Sequence, residues 1–210
     1  MESYINSYNK IAPFYDTLAH LIFGSKLESA QTLYLDDIEP GWKILIVGGG
    51  TGFILKEILA RAEDIEVWYI DSSSEMIRLA RKKVGSHVRV HFIHGSLDAI
   101  PSEILFDLAL ANFFLDQFSS NDIKDVIDRI AHSLQRDGQW WVTDFVPSSK
   151  WLHSALLRTM YGFFKMMAGL KVSALVDWVK LIEGKDFSSE KEMSTFSGFI
   201  RSIKFRKVHA

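Results

Sequence analysis

The chain has 210 residues, 48% of them apolar, a formal net charge of −2 and no cysteine. Such a length supports one domain with a sizeable core, the charge argues against free nucleic acid and acidic membrane surfaces as partners, and the absent thiols exclude disulfides and thiolate metal sites. Met1-Glu2-Ser3-Tyr4 lacks the basic start and apolar stretch of a secretory signal, and no run of about 18 apolar residues occurs. A soluble, cytoplasmic protein without integral membrane association is the expectation.

In chain order, residues 3–38 read as mostly helical, with Ile5, Tyr8 and Ile11 and then Leu27, Ala30, Leu33 and Tyr34 at helical spacing, interrupted by Pro13. Strand patterns follow at 43–47, 66–71, 88–93, 106–112 and 139–146, separated by helical stretches near 52–62, 73–84 and 121–135. This alternation predicts an α/β fold, a doubly wound and mostly parallel sheet with helices on both faces. Strands 44–47 and 108–111 are apolar on both parities, as central strands buried on two faces should be. Residues 151–170 follow as a helix with Leu152, Leu156, Met160, Phe163, Met167 and Leu170 on one stripe and Ser154, Arg158 and Lys165 opposite. A helix near 188–196 and a strand over 200–208 complete the pattern. The expected organisation is one domain: a helical cap (1–40), a ligand-binding core (41–146), a helical insert (147–187) and a C-terminal helix and strand (188–210).

The main functional signal is Lys43-Ile44-Leu45-Ile46-Val47 running into Gly48-Gly49-Gly50-Thr51-Gly52. Glycine allows φ > 0 and close approach of backbone to a ligand, and the following helix directs free amides at it. The dinucleotide fingerprint G-x-G-x-x-G would need glycine at 53, where the chain has Phe53, so an NAD-linked enzyme ranks low. Asp71 ends the second strand, nineteen positions beyond Gly52. There a carboxylate can accept from both hydroxyls of a ribose, or it can cap the next helix.

These residues resemble the class I S-adenosylmethionine-dependent methyltransferases. Val47 to Gly52 is similar to their first motif, and Asp71-Ser72-Ser73-Ser74-Glu75-Met76-Ile77-Arg78-Leu79-Ala80 to their second. Phe106 to Asn112 resembles the fourth-strand motif, and Leu134-Gln135-Arg136-Asp137-Gly138-Gln139 the turn before the fifth strand. Tyr8-Asn9-Lys10-Ile11-Ala12-Pro13-Phe14-Tyr15-Asp16 is similar to the start of the branch containing the ubiquinone and menaquinone biosynthesis methyltransferases. The resemblance implies a Rossmann-like sheet with a helical insert after the fifth strand and S-adenosylmethionine as cofactor. It implies cofactor contacts at Gly48, Gly49, Gly50, Gly52, Asp71, Ser72, Met76, Ser96, Leu97, Asn112 and Phe113, and under the N-terminal segment at Tyr8 and Tyr15. Two positions depart from the pattern: Ile46 stands where an acid usually precedes the first glycine, and Ser96 where an acid often meets the adenine. The family's terminal antiparallel strand pair also shows only one clear strand here, the second fitting nowhere unless within 172–186.

The implied activity is methyl transfer to a small, apolar or aromatic acceptor. The alternative is a cofactor-binding regulatory protein of the same fold without turnover. No catalytic side chain is obligatory for such a displacement. His20, Asp116, Asp144 and His153 are candidate bases, each also readable as a cap or surface group. His87, His91 and His94 cannot converge on a metal from one strand, so no metal is expected. The apolar insert could wall the acceptor pocket, pack as ordinary core or pair two copies of the chain.

Overall fold

In a computed structural model, the description covers Ala12, His20, residues 22–168 and residues 175–208, without the side chains of 160, 161 and 163–168. Tyr8 and Tyr15 lie outside the described residues, as do Leu170 and the side chains of Met160, Phe163, Lys165 and Met167. The elements are α1 (Lys26–Thr32), β1 (Lys43–Val47), α2 (Phe53–Leu59), β2 (Glu66–Asp71), α3 (Ser74–Val84), β3 (Val90–His94), β4 (Phe106–Asn112), α4 (Ile123–Ser133), β5 (Leu134–Phe145), α5 (Trp151–Ala168), α6 (Trp178–Glu183), β6 (Phe187–Thr195) and β7 (Ile200–Lys207). One seven-stranded sheet has the order β3-β2-β1-β4-β5-β7-β6. Strands β1 to β5 pair in parallel, and β7 runs antiparallel to both β5 and β6.

Strand order reverses between β1 and β4, because the chain winds outward through β2 and β3 and then returns to the other side of β1. Successive side chains on β1 feed the two faces. Ile44 and Ile46 join a core with Ile54, Leu55 and Ile58 of α2 and Ile77 and Ala80 of α3. Leu45 and Val47 join the opposite core with Val126, Ile127 and Ile130 of α4 and Trp178 and Ile182 of α6. The carboxyl ends of β1 and β4 therefore form the crevice where ligands of open α/β sheets sit.

The predicted strands 43–47, 66–71 and 106–112 have the observed bounds. The C-terminus differs: residues expected as a helix near 188–196 form β6, which supplies the second strand of the antiparallel pair and completes the seven. Ser188 to Ser194 are all exposed along this edge, so no buried face imprints a period of two on the sequence. Pairing with β7 and the cross-strand Glu190–Arg206 and Glu192–Arg201 ion pairs hold it instead.

Hydrogen bonds fasten the first helix to the far side of the sheet. Ser202 Oγ donates to Ala30 O at 3.1 Å, and Tyr34 Oη donates to Ser202 O at 2.9 Å. Burial, helped by Glu192 and Asp37, pushes the Tyr34 phenol up to about 12, so it stays a donor at neutral pH. Helix α3 has a complete set of terminal signals. Ser73 Oγ accepts from Met76 N at 3.1 Å, Glu75 lies in the first turn, Arg81, Lys82 and Lys83 lie in the last, and Gly85 (φ 73°) follows. Replacing Ser73, which is fully buried, by alanine leaves the Met76 amide without its acceptor. Thermal unfolding of that variant is expected to show a loss of about 1 kcal/mol.

Candidate active site

The glycine loop lies between the ends of β2 and β4, because Val47 pairs with Ile70 on one side and Ala111 on the other. Three of its four glycines are required by packing. A Cβ on Gly48 would stand 2.3 Å from the Phe114 ring, one on Gly49 2.2 Å from the Tyr69 ring, and one on Gly52 2.8 Å from the Ala80 backbone. Gly50 (φ 64°) is different, since a Cβ there would meet nothing among the described residues within 4 Å. The loop thus rests on Phe114, Tyr69 and α3, with Gly50 turned to open space.

Two side chains of β2 brace that open segment. Tyr69, fully buried, donates its hydroxyl to Gly50 O at 2.9 Å. Asp71 Oδ2 accepts from Gly50 N at 2.8 Å, while Oδ1 accepts from Ser73 N at 2.8 Å. The α3 cap is Ser73, so Asp71 is not the cap of that helix. A carboxylate has about four acceptor positions, and Asp71 retains capacity for two hydroxyls after its two amide bonds. Burial raises its carboxyl above the usual range, against the pull of the Ser73 and Gly50 amides and the charge of His94. Charge at Asp71 is therefore costly until further donors meet it.

Opposite, Asn112 ends β4, and its buried Nδ2 has no hydrogen-bond partner among the described residues. A buried donor without an acceptor is costly and marks a place where a ligand atom can be received. Phe113 follows with φ 50°, a strained conformation for an aromatic residue, and Phe114 covers Gly48. Asp144, fully buried at the end of β5, gathers this turn: Oδ2 accepts from the amides of Phe114, Leu115 and Asp116 at 3.0, 2.7 and 3.3 Å, and Oδ1 from Phe145 N at 2.7 Å. Burial pushes Asp144 up to about 7 against the pull of those four amides. Asp116 is held well above the ordinary carboxylate range by burial and by the neighbouring Asp144 charge.

The remaining predicted residues divide. Ser72 O meets His94 Nε2 at 3.0 Å beside Asp71. Ser96 caps a short 3-10 turn, donating to Asp98 Oδ2 at 2.9 Å and accepting from Asp98 N at 3.4 Å. Met76 is buried on the inner side of α3, and Ile46 lies in the core, placing no carboxylate at that position. Leu97 lines a cleft of ≈ 530 Å³ running to Ile104 and α4, apart from the glycine loop and occupied at its edge by the Arg129 ion pairs with Asp98 and Asp125. Among the described residues no group of His, Asp and Glu is placed to hold a metal ion, and no helix is long and apolar enough to cross a membrane.

Beyond Asn112 the carboxyl ends of β4 and β5 carry an aromatic cluster. Phe113 and Phe145 have ring centroids 5.1 Å apart, Phe145 and Phe199 5.0 Å, and Phe23 and Phe145 5.5 Å. The insert helix α5 joins it through Leu156 and Leu157, while Leu152, expected on the same stripe, is 60% exposed. His153 sets this rotation: buried and stacked on Phe199 at 4.5 Å, it meets Ser148 Oγ through Nδ1 at 2.7 Å. Burial and Lys150 lower its pKa, so it is neutral at pH 7. Tyr69 and the Asp144 amide nest had no sequence signal of their own. In the sequence Tyr69 reads as one more apolar residue of a strand and Asp144 as a candidate base, not as the acceptor for a turn.

Comparison with known proteins agrees with this geometry. The family described as Methyltransferase domain matches residues 44–138. The malonyl-[acyl-carrier protein] O-methyltransferase of Halalkalibacterium halodurans is 24% identical over 84% of this chain and 68% of its own length. The ubiquinone/menaquinone biosynthesis C-methyltransferase of Paracoccus denitrificans is 25% identical over 96% of this chain and 82% of its own. Among solved structures, the Burkholderia thailandensis 1,6-didemethyltoxoflavin-N1-methyltransferase has the same fold, with a TM-score of 0.69 and 15% identity over 98% of this chain and 88% of that one. The motifs, their order, the sheet topology and these relatives agree: the chain belongs to the class I S-adenosylmethionine-dependent methyltransferases, with sequence likeness to their quinone-biosynthesis branch.

Proposed function

We propose that the chain transfers a methyl group from S-adenosylmethionine to a small apolar or aromatic acceptor held at the carboxyl ends of β4 and β5. The residues fit the cofactor: among the described residues Gly50 faces open space and Asn112 Nδ2 is a buried donor without a partner, and Asp71 has acceptor capacity for ribose hydroxyls. When bound, the sulfonium supplies an electrophilic methyl group. Asp71 and the Gly50 segment would hold the nucleoside, and Asn112 would donate to the amino-acid end, where Ile46 leaves no acid to receive the ammonium. Ser72, Met76, Ser96 and Phe113 complete the proposed cofactor contacts around this frame, while Leu97 lines the separate cleft toward α4.

The observation that carries the acceptor class is the cluster of Phe23, Phe113, Phe145, Phe196 and Phe199 with Leu156 and Leu157 beside Asn112. Its partly buried members, Phe113, Phe196, Leu156 and Leu157, would offer an apolar edge to a flat acceptor, backed by the buried Phe23, Phe145 and Phe199. Its work is orientation, since displacement at a methyl group depends chiefly on near-attack geometry. Asp144 is occupied by four amides and His153 Nδ1 by Ser148, so both serve the frame. Tritiated S-adenosylmethionine offered with small phenols, quinols and aromatic acids should label these, and should leave peptides, RNA and hydrophilic amines unlabelled. Labelling confined to the second group would refute the acceptor class.

A further inference from the structure

Asp144 is a buried carboxylate for which methyl transfer itself provides no task. Its Oδ2 takes three consecutive amides, 114 to 116, and these define the turn that leaves β4. That turn places Phe113 at φ 50°, with its amide on Thr143 O at 2.8 Å, and sets the Phe114 ring where a Gly48 side chain would stand. We propose that Asp144 is a positioning residue whose ionised carboxylate holds the Phe113–Asp116 turn against the glycine loop, so that nucleoside binding strengthens when Asp144 is charged and weakens when it is protonated.

An ionised carboxylate accepts at both oxygens. A protonated one carries an O–H that would point at N–H donors on one side, leaving amides of the turn without their acceptor. Phe113 is held in an unfavourable conformation, so the turn depends on those bonds. Among the described residues, the charged and titratable groups around Asp144 are few. Asp116 lies within the turn, and its charge would oppose that of Asp144. Arg201 is the β7 register partner of Asp144, with its guanidinium committed to Glu192 of β6 and subject to the fields of Asp177, the N-cap of α6, and Glu183 within it. Trp178 of α6 contributes only an indole N–H, donated to Phe145 O at 2.8 Å. Burial brings the Asp144 transition to about pH 7, so the carboxylate forms as pH rises through neutrality.

This inference rests on the cofactor reading above, and two measurements separate them. In 15N-labelled unliganded protein, the amides of Phe114, Leu115 and Asp116 should titrate together with one midpoint near pH 7. Calorimetric affinity for S-adenosylhomocysteine should fall roughly tenfold between pH 8 and pH 5.5 with that same midpoint, as the competent fraction falls. In Asp144→Asn the common amide transition should vanish, and affinity at pH 8 should be roughly tenfold weaker and flat down to pH 6. Any further loss at lower pH, present in both proteins, belongs to Asp71. Independent titration of the three amides, or an unchanged affinity profile in Asp144→Asn, would overturn the proposal. Absence of binding heat at every pH, with the three amides still titrating together, would strike the cofactor reading and support control of the turn by Asp144.

Discussion

Asp71→Asn is expected to weaken S-adenosylhomocysteine binding about 100-fold while the protein stays folded. The substitution removes the charge from hydrogen bonds to two ribose hydroxyls, each worth about 1.5–3 kcal/mol when charge-assisted. Part of that loss is returned because the neutral amide avoids the cost of a buried charge, leaving about 3 kcal/mol, which converts to about 100-fold. The asparagine also has an NH₂ where Asp71 Oδ2 accepts from Gly50 N or Oδ1 from Ser73 N, so one of those bonds is lost with it. Since the folded protein carries the carboxylate at a disadvantage, the effect on thermal stability should be much smaller than the effect on binding. Calorimetry and thermal unfolding of one preparation make the comparison. Equal affinity in the two proteins would remove Asp71 from the site.

The second large effect is on stability. Gly49→Ala introduces a methyl group whose carbon would lie 2.2 Å from Tyr69, a ring that is fully buried and cannot swing aside. Overpacking of this kind costs about 1–3 kcal/mol and occasionally more, and displacement of the Tyr69 hydroxyl from Gly50 O adds about 1 kcal/mol. A total of about 3 kcal/mol lowers the melting temperature by about 10 °C for a chain of this size. Gly50→Ala provides the contrast. Its Cβ meets nothing among the described residues within 4 Å, so the cost there is the left-handed conformation, about 1–2 kcal/mol, but the methyl projects into the space assigned to the nucleoside. Gly49→Ala should therefore damage stability more than Gly50→Ala, and Gly50→Ala should damage binding in the protein that remains folded. The reverse order would contradict the assignment of the loop's open side.

The parts of this fold that were legible in the sequence are those where burial on both faces writes a continuous apolar run. Ile44 to Val47 and Leu108 to Ala111 are such segments, and their bounds were recovered. The loop between them was legible because glycine spacing reflects steric need at Gly48, Gly49 and Gly52. The same steric need means that three of the four glycines report packing against Phe114, Tyr69 and Ala80, and Gly50 alone reports open space. Strand β6 was misread because Glu190, Lys191 and Glu192 carry no buried face, and its conformation is imposed by β7 through pairing. Asp144 was legible as a candidate base, but its role depends on where four amides from a distant turn converge, and that is set by the tertiary fold. On the insert, Leu156 packs inward as expected, while His153, stacked on Phe199, and Leu157 take the inward place expected for Leu152.

The most direct test of the site is titration of S-adenosylhomocysteine into the purified wild-type chain at pH 8, with Asp71→Asn alongside. One ligand per chain is expected in the wild type and about 100-fold weaker binding in the variant. A folded wild-type protein that shows no binding, or a variant that binds as tightly as the wild type, would contradict the assignment of the site.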